Sequence, residues 1–437
     1  MSANSTRSRY QSWGRYPPAK HQVRFLRWRH EPLSHIGASS VLPFGNGRSY
    51  GDSCLNDGGL LLDMRGLDRM ISFDKERGVL CCEAGVLLGE ILELAVPAGW
   101  FLPVSPGTKF VTVGGAIAND VHGKNHHRAG SFGCHVRQFE LLRSDGSRRI
   151  CSRSENPEWF GATIGGLGLT GVILWAEIQL QRVAAATMDI ETIRFADLGG
   201  FFRLTEESDA SFAYTVAWVD CASRGNSLGR GIFTRGNHAH HDPAPAHATR
   251  SALGVPVELP RALVTDTAVR VFNAWYYRRP LQRIRRVPYD SFLYPLDRIR
   301  NWNRIYGRRG FFQYQCVVGP SDGRDAVAEL LSHIAAAGGS SFLAVLKVFG
   351  AIPSQGVLSF PRPGITLALD FPNRGSGTMR LLDRLDEIVR SSGGAVYPAK
   401  DARMSADSFR HYFPRWRTFC EYLDPAFSSS FWRRVAS

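Results

Sequence analysis

The sequence has no uninterrupted apolar run of about 18 residues, so no membrane-spanning helix is expected. Its longest apolar stretches, Val111 to Ala118 and Phe342 to Val348, have the length of strands or core segments. The opening residues, MSANSTRSRYQSWGRYPPAK, are polar and basic and lack the apolar core of an export signal, which predicts a cytoplasmic protein. The eight cysteines form no CxxC pair and no metal-ligand spacing, so reduced, mostly buried thiols and no metal are expected. Cys81 and Cys82 are adjacent in a strand-like run and point to opposite faces. No GxGxxG opens a helix and no GK[ST] follows a glycine loop, which excludes the Rossmann and P-loop modes of nucleotide binding. No RRM, KH, helix-turn-helix or zinc pattern appears, so nucleic acid is not expected as a partner.

The chain does have an excess of positive charge, +14 over 437 residues, enough length for two domains. An anionic membrane surface or a phosphorylated substrate suits that excess. The charge is densest in RRPLQRIRR, Arg278 to Arg286, directly after Trp275, Tyr276 and Tyr277. That segment is either a solvated face or a patch for lipid headgroups or phosphate. Residues 35–185 mix glycine-rich turns with strand-like runs and one helix starting near Leu87, marked by Leu88, Ile91, Leu92 and Ala95. From about residue 186, FAYTVAWVD, GFFQYQCVV and Phe342 to Phe349 read as strands, and LLDRLDEIVR carries a helical stripe at Leu381, Leu382, Leu385 and Ile388. HAHHDPAPAHATR, His238 to Arg250, is low in complexity; Pro and Ala interrupt its histidines, so it reads as a mobile surface loop rather than a metal site.

Three glycine-rich segments carry the chemistry. PFGNGRSYGDSCLNDGG, Pro43 to Gly59, brings Gly45, Gly47 and Gly51 together ahead of an apolar strand, where converging N–H groups suit a pyrophosphate. SPGTKFVTVGGAIANDVHGKNHHRAGSFGCHV, Ser105 to Val136, combines six glycines with His122, Lys124, His126 and His127, candidate donors to a bound cofactor or substrate. Its Gly114–Gly115 pair suggests a tight turn into a short helix that meets a phosphate or ring edge. WFGATIGGLGLTGVI, Trp159 to Ile173, reads as a turn feeding a buried strand.

These three segments, in this order and spacing, resemble the FAD-binding domain of the vanillyl-alcohol-oxidase flavoprotein superfamily. The resemblance implies an α+β fold: a two-part FAD-binding domain of the PCMH type, with an inserted α+β substrate domain built on an antiparallel sheet. It divides the chain into residues 1–185 for FAD, 186–394 as a substrate-binding cap with a mobile loop near 235–260, and 395–437 returning to the FAD domain. More narrowly, GRSYGD, SPGTKFVTVGGAIANDVHGKNHH, GSFGCHV and YPAKDARM are similar to the flavin subunits of the decaprenylphosphoryl-β-D-ribose 2′-epimerases. PLDRIRNWNRIYG, FFQYQCVV and LSFPRPGITLALDFP extend the likeness over nearly the whole chain. That family implies oxidation of the C2′ hydroxyl of a polyprenyl-phosphate ribose to a ketone. A short-chain dehydrogenase/reductase partner then reduces the ketone to the arabinose form used in cell-wall arabinan. Oxidation of a free alditol, a lactone or another sugar is the alternative within the superfamily.

The resemblance also implies the site. Gly45, Asn46, Gly47, Arg48, Ser49, Tyr50 and Gly51, then Gly107, Thr112, Gly114, Gly115, Asn119 and His122, with Ile173 and Tyr397, would bind FAD. Arg48 stands where many superfamily members carry a tethering His, and Cys134 lies outside the context of a tethering Cys, so FAD is expected to be non-covalent. Lys400, Lys347, His122 and Gln315 are the implied catalytic residues, and Tyr50, Lys124, Tyr294 and Trp302 the implied substrate contacts. A lysine beside the reacting hydroxyl stabilises an alkoxide, or acts as a base if its pKa is lowered. Where mycobacterial members carry a flavin-facing cysteine, this chain has Ala368. Peripheral contact with the inner face of the membrane is expected from the Arg278–Arg286 cluster.

Overall fold

The computed structural model describes residues 10–33, 40–241, 253–258, 264–338 and 341–437. The N-terminal part contains strands β1 (Gln22–Phe25), β2 (Val41–Phe44), β3 (Leu60–Asp63), β4 (Met70–Asp74), β5 (Val79–Glu83), β6 (Trp100–Phe101), β7 (Val136–Leu142), β8 (Arg148–Ser152), β9 (Val172–Gln179) and β10 (Gln181–Arg182). The first three make a parallel sheet ordered β1-β3-β2. Its central strand, LLLD, is buried throughout, as an unbroken apolar run requires. The antiparallel sheet β4-β5-β9-β7-β8 lies beside it. Helix Leu88–Ala95 buries Leu88, Ile91, Leu92 and Ala95, the predicted stripe, and Glu90 caps it by accepting the Leu87 N–H at 2.7 Å.

The second part adds β11 (Thr187–Phe195), β12 (Tyr214–Val219), β13 (Gly231–His238), β14 (Leu253–Gly254), β15 (Ile284–Pro288), β16 (Ile299–Arg300), β17 (Phe311–Val318), β18 (Ala344–Phe349), β19 (Gly364–Pro372) and β20 (Ala395–Val396). Eight of these form one antiparallel sheet, β15-β11-β13-β12-β18-β19-β17-β20. Its apolar face, with Tyr314, Cys316, Leu346, Leu367 and Leu369, joins one core with Leu330 and Ile334 of helix Gly323–Ala336 and Leu382, Leu385 and Ile388 of helix Ser376–Ser391. The other face is polar. The register pairs Gln315 with Ala368, Gln313 with Asp370, Lys347 with Thr366 and Val345 with Ala368. Antiparallel partners share a face, so these residues form a single wall.

After β20 the chain packs against the N-terminal part. Val41 exchanges backbone hydrogen bonds with Ala426 and Ser428, at 2.8 and 2.9 Å. Arg434 bridges Asp52 at 2.7 Å and Asp401 at 2.9 Å, and Arg143 pairs with Asp424.

Two readings need correction. A mobile loop near 235–260 does not begin at 235: Arg235 to His238 end β13, which is hydrogen-bonded between β11 and β12, and such pairing fixes the backbone. Leu253 and Gly254 pair with β16, while residues 242–252 and 259–263 lie outside the described residues. Gly114 and Gly115 do not form a turn ahead of a helix. They lie inside helix Val113–Ala118, because the Thr112 side chain takes the capping position one residue earlier and accepts the Gly115 N–H.

Candidate active site

The loop after β2 and the start of helix Val113–Ala118 meet closely. A Cβ on Gly45 would lie 2.4 Å from Thr112 Oγ1, so only glycine allows the contact. Gly47 has a φ of +58°, in the left-handed region that glycine enters freely. Asn46 ties the two segments by donating its side-chain amide to the Phe110 carbonyl at 2.8 Å. The Arg48 guanidinium lies 4.2 Å over the Trp13 ring and 5.3 Å from that of Phe110. Its buried Nε has no partner among the described residues, and burial lowers its pKa. A buried guanidinium N–H without an acceptor is costly unless an anion meets it.

From this cradle a path of side chains leads to the polar sheet wall. Asn119 donates its side-chain amide to the Gly115 carbonyl, and its own carbonyl accepts the Tyr397 hydroxyl at 2.8 Å. The Tyr397 ring lies 5.7 Å from that of buried His122. His122 Nε2 is 3.0 Å from the Gln315 amide, which also reaches Thr366 Oγ1 at 3.0 Å. Lys347 Nζ is 3.3 Å from both His122 Nδ1 and the Gly123 carbonyl. If Lys347 donates to Nδ1, the ring hydrogen sits on Nε2. Placing the Gln315 amide oxygen opposite then gives that hydrogen and the Thr366 hydroxyl an acceptor.

Electrostatics hold this group near neutrality. Burial, then Lys347, keep the His122 pKa well below the usual imidazole range. Burial, then Lys400 and Lys124, bring Lys347 down to about 7. Burial lowers Lys400 to about 8, with Asp370 acting the other way. Lys400 Nζ stands 5.4 Å from the Tyr50 ring centroid and makes no hydrogen bond to a described residue. Tyr50 is held there by its N–H, which donates to the Ala399 carbonyl at 2.8 Å, and by edge contact with Phe311. Trp302 continues this aromatic wall, packing on Trp13 and Phe311.

The structure thus gathers Gly45 to Gly51, Thr112, Gly114, Gly115, Asn119, His122, Tyr397, Gln315, Lys347 and Lys400. Other members of the expected set have different surroundings. Gly107 is exposed, and a Cβ there would meet nothing within 4 Å. Ile173 is packed in the N-terminal core on β9. Lys124 points its ammonium at the Phe292 and Leu293 carbonyls, and burial lowers its pKa to about 7. Tyr294 is fully buried, with its hydroxyl 2.5 Å from Ser105 Oγ. Asp370 was not singled out in the sequence, although it stands on the polar wall beside Gln313. The sequence signal marks the lysines instead: only six of the 53 basic residues are lysine, and Lys109, Lys124, Lys347 and Lys400 are all withdrawn from solvent around this site.

Residues 38–152 match a family described as FAD binding domain. Decaprenylphosphoryl-β-D-ribose oxidase of Mycolicibacterium smegmatis is 36% identical over 465 aligned positions, covering 99% of this chain and 98% of that protein. An uncharacterized protein in the mprA 5′ region of Streptomyces coelicolor is 35% identical over 370 positions, 80% of this chain and all of the relative. L-gulonolactone oxidase of Mus musculus is 33% identical over 137 positions, about a third of either chain. The residues present fit FAD. Gly45 and Gly51 leave no room for a side chain, Arg48 offers a buried N–H without an acceptor, and the Gln315 amide keeps a buried partnerless atom on the polar wall.

Proposed function

This chain belongs to the decaprenylphosphoryl-β-D-ribose oxidase family of FAD-dependent oxidoreductases, and from that premise we propose that it oxidises the C2′ hydroxyl of a polyprenylphosphoryl-β-D-ribose to the 2′-keto sugar. The observation that carries the reading is Lys400: a half-buried amine with a lowered pKa and no hydrogen bond to a described residue, set between the first glycine loop and the polar wall. FAD supplies the acceptor for the hydride pair. Lys400, neutral in part near pH 8, takes the hydroxyl proton. Lys347, His122 and Gln315 form a connected donor network that orients the reactants, and the Tyr50–Trp302 wall excludes water from the sugar.

In this reading residues 1–185 and 395–437 hold the cofactor and 186–394 present the sugar. FAD is dissociable, since Arg48 occupies the tethering position of the first loop. The ketone product is consumed by a separate short-chain reductase that inverts the centre. Peripheral membrane contact belongs to the same reading. Among the described residues no helix is long and apolar enough to cross a membrane. Helix Asp266–Arg278 nevertheless turns Val271 and Trp275 outward, 66% and 62% exposed, with Arg278 on the same side and Arg270 exposed on the adjoining one. Apolar and aromatic side chains flanked by arginines suit an anionic headgroup layer. Arg283 and Arg286 are less free, being paired with Glu191 and Asp189.

The test is anaerobic mixing of FAD-loaded protein with polyprenylphosphoryl-β-D-ribose while the flavin absorption is followed. Bleaching, with a 2′-keto sugar identified by mass spectrometry, is the expected result. Reduction by free alditols or lactones alone would replace this substrate assignment.

A further inference from the structure

Nine Asp and Glu side chains are buried among the described residues, and seven of them have an arginine within ion-pair distance. Asp120 is an exception with strong local donors, the Gly133 N–H and the Ser359 hydroxyl. Asp370 is the other. It is fully buried on β19, and its carboxylate accepts from the Gln313 amide at 2.7 Å and the Tyr306 hydroxyl at 3.4 Å. In a chain so rich in arginine, a buried carboxylate left with two neutral donors carries a desolvation cost that the fold does not offset. The cation whose charge acts on it is Lys400, beyond ion-pair distance. Gln313 and Lys400 line one small cavity of about 10 Å³, and Asp370 and Lys400 both act on Tyr50, the former through its charge, the latter against the ring.

We propose that Asp370 is a positioning residue whose carboxylate strengthens Lys400 as the proton acceptor of the oxidation. The inference rests on the oxidation reading above and names the group that tunes its base. When the substrate hydroxyl loses its proton to the Lys400 amine, the O–H bond breaks, an ammonium forms, and the hydride pair of the neighbouring C–H bond is left for FAD. The carboxylate stabilises the ammonium as it appears. Burial raises the Asp370 pKa to about 7, with the Gln313 hydrogen bond and Lys400 acting the other way, so the carboxylate is in place above about that pH. There its charge is weakly screened, since Asp370 is fully buried and Lys400 half-buried. Four other titratable groups pack against the pair. Tyr50 and Tyr306 stay protonated, because burial raises both. His122 stays neutral because burial lowers its pKa, which leaves Lys347, and Asp370 itself, titrating in the same range as Lys400.

The experiment uses FAD-loaded protein carrying lysine labelled with 13C at the ε carbon. With six lysines in the chain, the resonances are few, and Lys400 is identified by its loss in Lys400→Met. Asp370→Asn is expected to lower the Lys400 titration midpoint by about one pH unit or more. The low-pH limb of the flavin-reduction rate should move by the same amount. An unchanged Lys400 midpoint in folded, FAD-loaded Asp370→Asn overturns the proposal. If that variant loses its fold, Tyr306→Phe removes one donor from the carboxylate and should move the midpoint the same way by less; no movement there also overturns it. The labelled-lysine titration needs no substrate. A shifted midpoint in an enzyme that no polyprenylphosphoryl ribose reduces would therefore support the pairing and sink the substrate assignment.

Discussion

Gly51→Ala separates the cofactor loop from the segment that bears Lys400. A Cβ at Gly51 would stand 1.6 Å from the Asp401 carbonyl oxygen and 2.4 Å from its carbon. Neither backbone can yield easily. Tyr50 N–H donates to Ala399 one residue away, and the Asp401 carboxylate is held by Arg434 at 2.9 Å and by the Arg403 and Met404 amides. Arg434 also grips Asp52, the residue after Gly51, so loop and return segment are clamped on both sides of the clash. Overpacking of this kind costs about 1–3 kcal/mol, and a backbone-to-backbone clash belongs at the top of that range. If about 3 kcal/mol falls on the FAD-binding arrangement, affinity drops by about two powers of ten. Titration of FAD into the apoprotein, followed by flavin fluorescence and paired with thermal melts, measures both effects. Gly377→Ala, in helix Ser376–Ser391, is the control, because a Cβ there meets nothing within 4 Å and the residue has no place in the cofactor loop, so affinity should be unchanged. Equal FAD affinity in Gly51→Ala and parent would refute the argument, and so would an equal loss in Gly377→Ala.

His126→Phe should stabilise the protein and flatten its acid limb. The buried imidazole packs 4.4 Å from the Phe349 ring, neither ring nitrogen has a partner among the described residues, and burial drives its pKa to about 3. The folded pKa lies below the unfolded one, so stability is full above about 6.5 and is lost as pH falls toward about 3. Urea melts at pH 7 and pH 5 should show a gain of about 1 kcal/mol at pH 7 from removing unsatisfied polar atoms, and more at pH 5. A destabilised variant, or one gaining nothing extra at pH 5, would count against this. Ala368 faces the polar wall between Gln315 and Val345, so reagents that trap a flavin-facing cysteine should leave the parent unmodified there, whereas Ala368→Cys should gain an adduct on that residue by mass spectrometry. Trp275→Ser with Val271→Ser should abolish co-sedimentation with phosphatidylglycerol vesicles at low salt while leaving the flavin spectrum intact. Undiminished sedimentation would place the contact elsewhere.

The glycine loop at 43–59 and the alternation in QYQ and VLKVF were legible because both are local: glycine spacing states where the backbone must bend or approach closely, and period two states which side chains share a face. The stripe of helix Leu88–Ala95 was legible for the same reason at period 3.6. Partners distant in sequence were not. Lys124 and Tyr294 look as available in the sequence as Lys347 and Trp302, yet the fold gives the first two to the Phe292 and Leu293 carbonyls and to Ser105. Asp370 lies in a plain strand sequence, ITLALDFP, where nothing marks it.

Sequence alone determined the strand faces, the glycine-bearing loops and, through their resemblance, the flavin chemistry, since each depends on residue type and short spacing. Tertiary structure decided which glycine admits no side chain, which lysine keeps its amine unbonded, and which carboxylate stands without an arginine. Those outcomes depend on sheet register and on a C-terminal segment that returns some 350 residues later to lie against the first loop, a contact that no local pattern encodes.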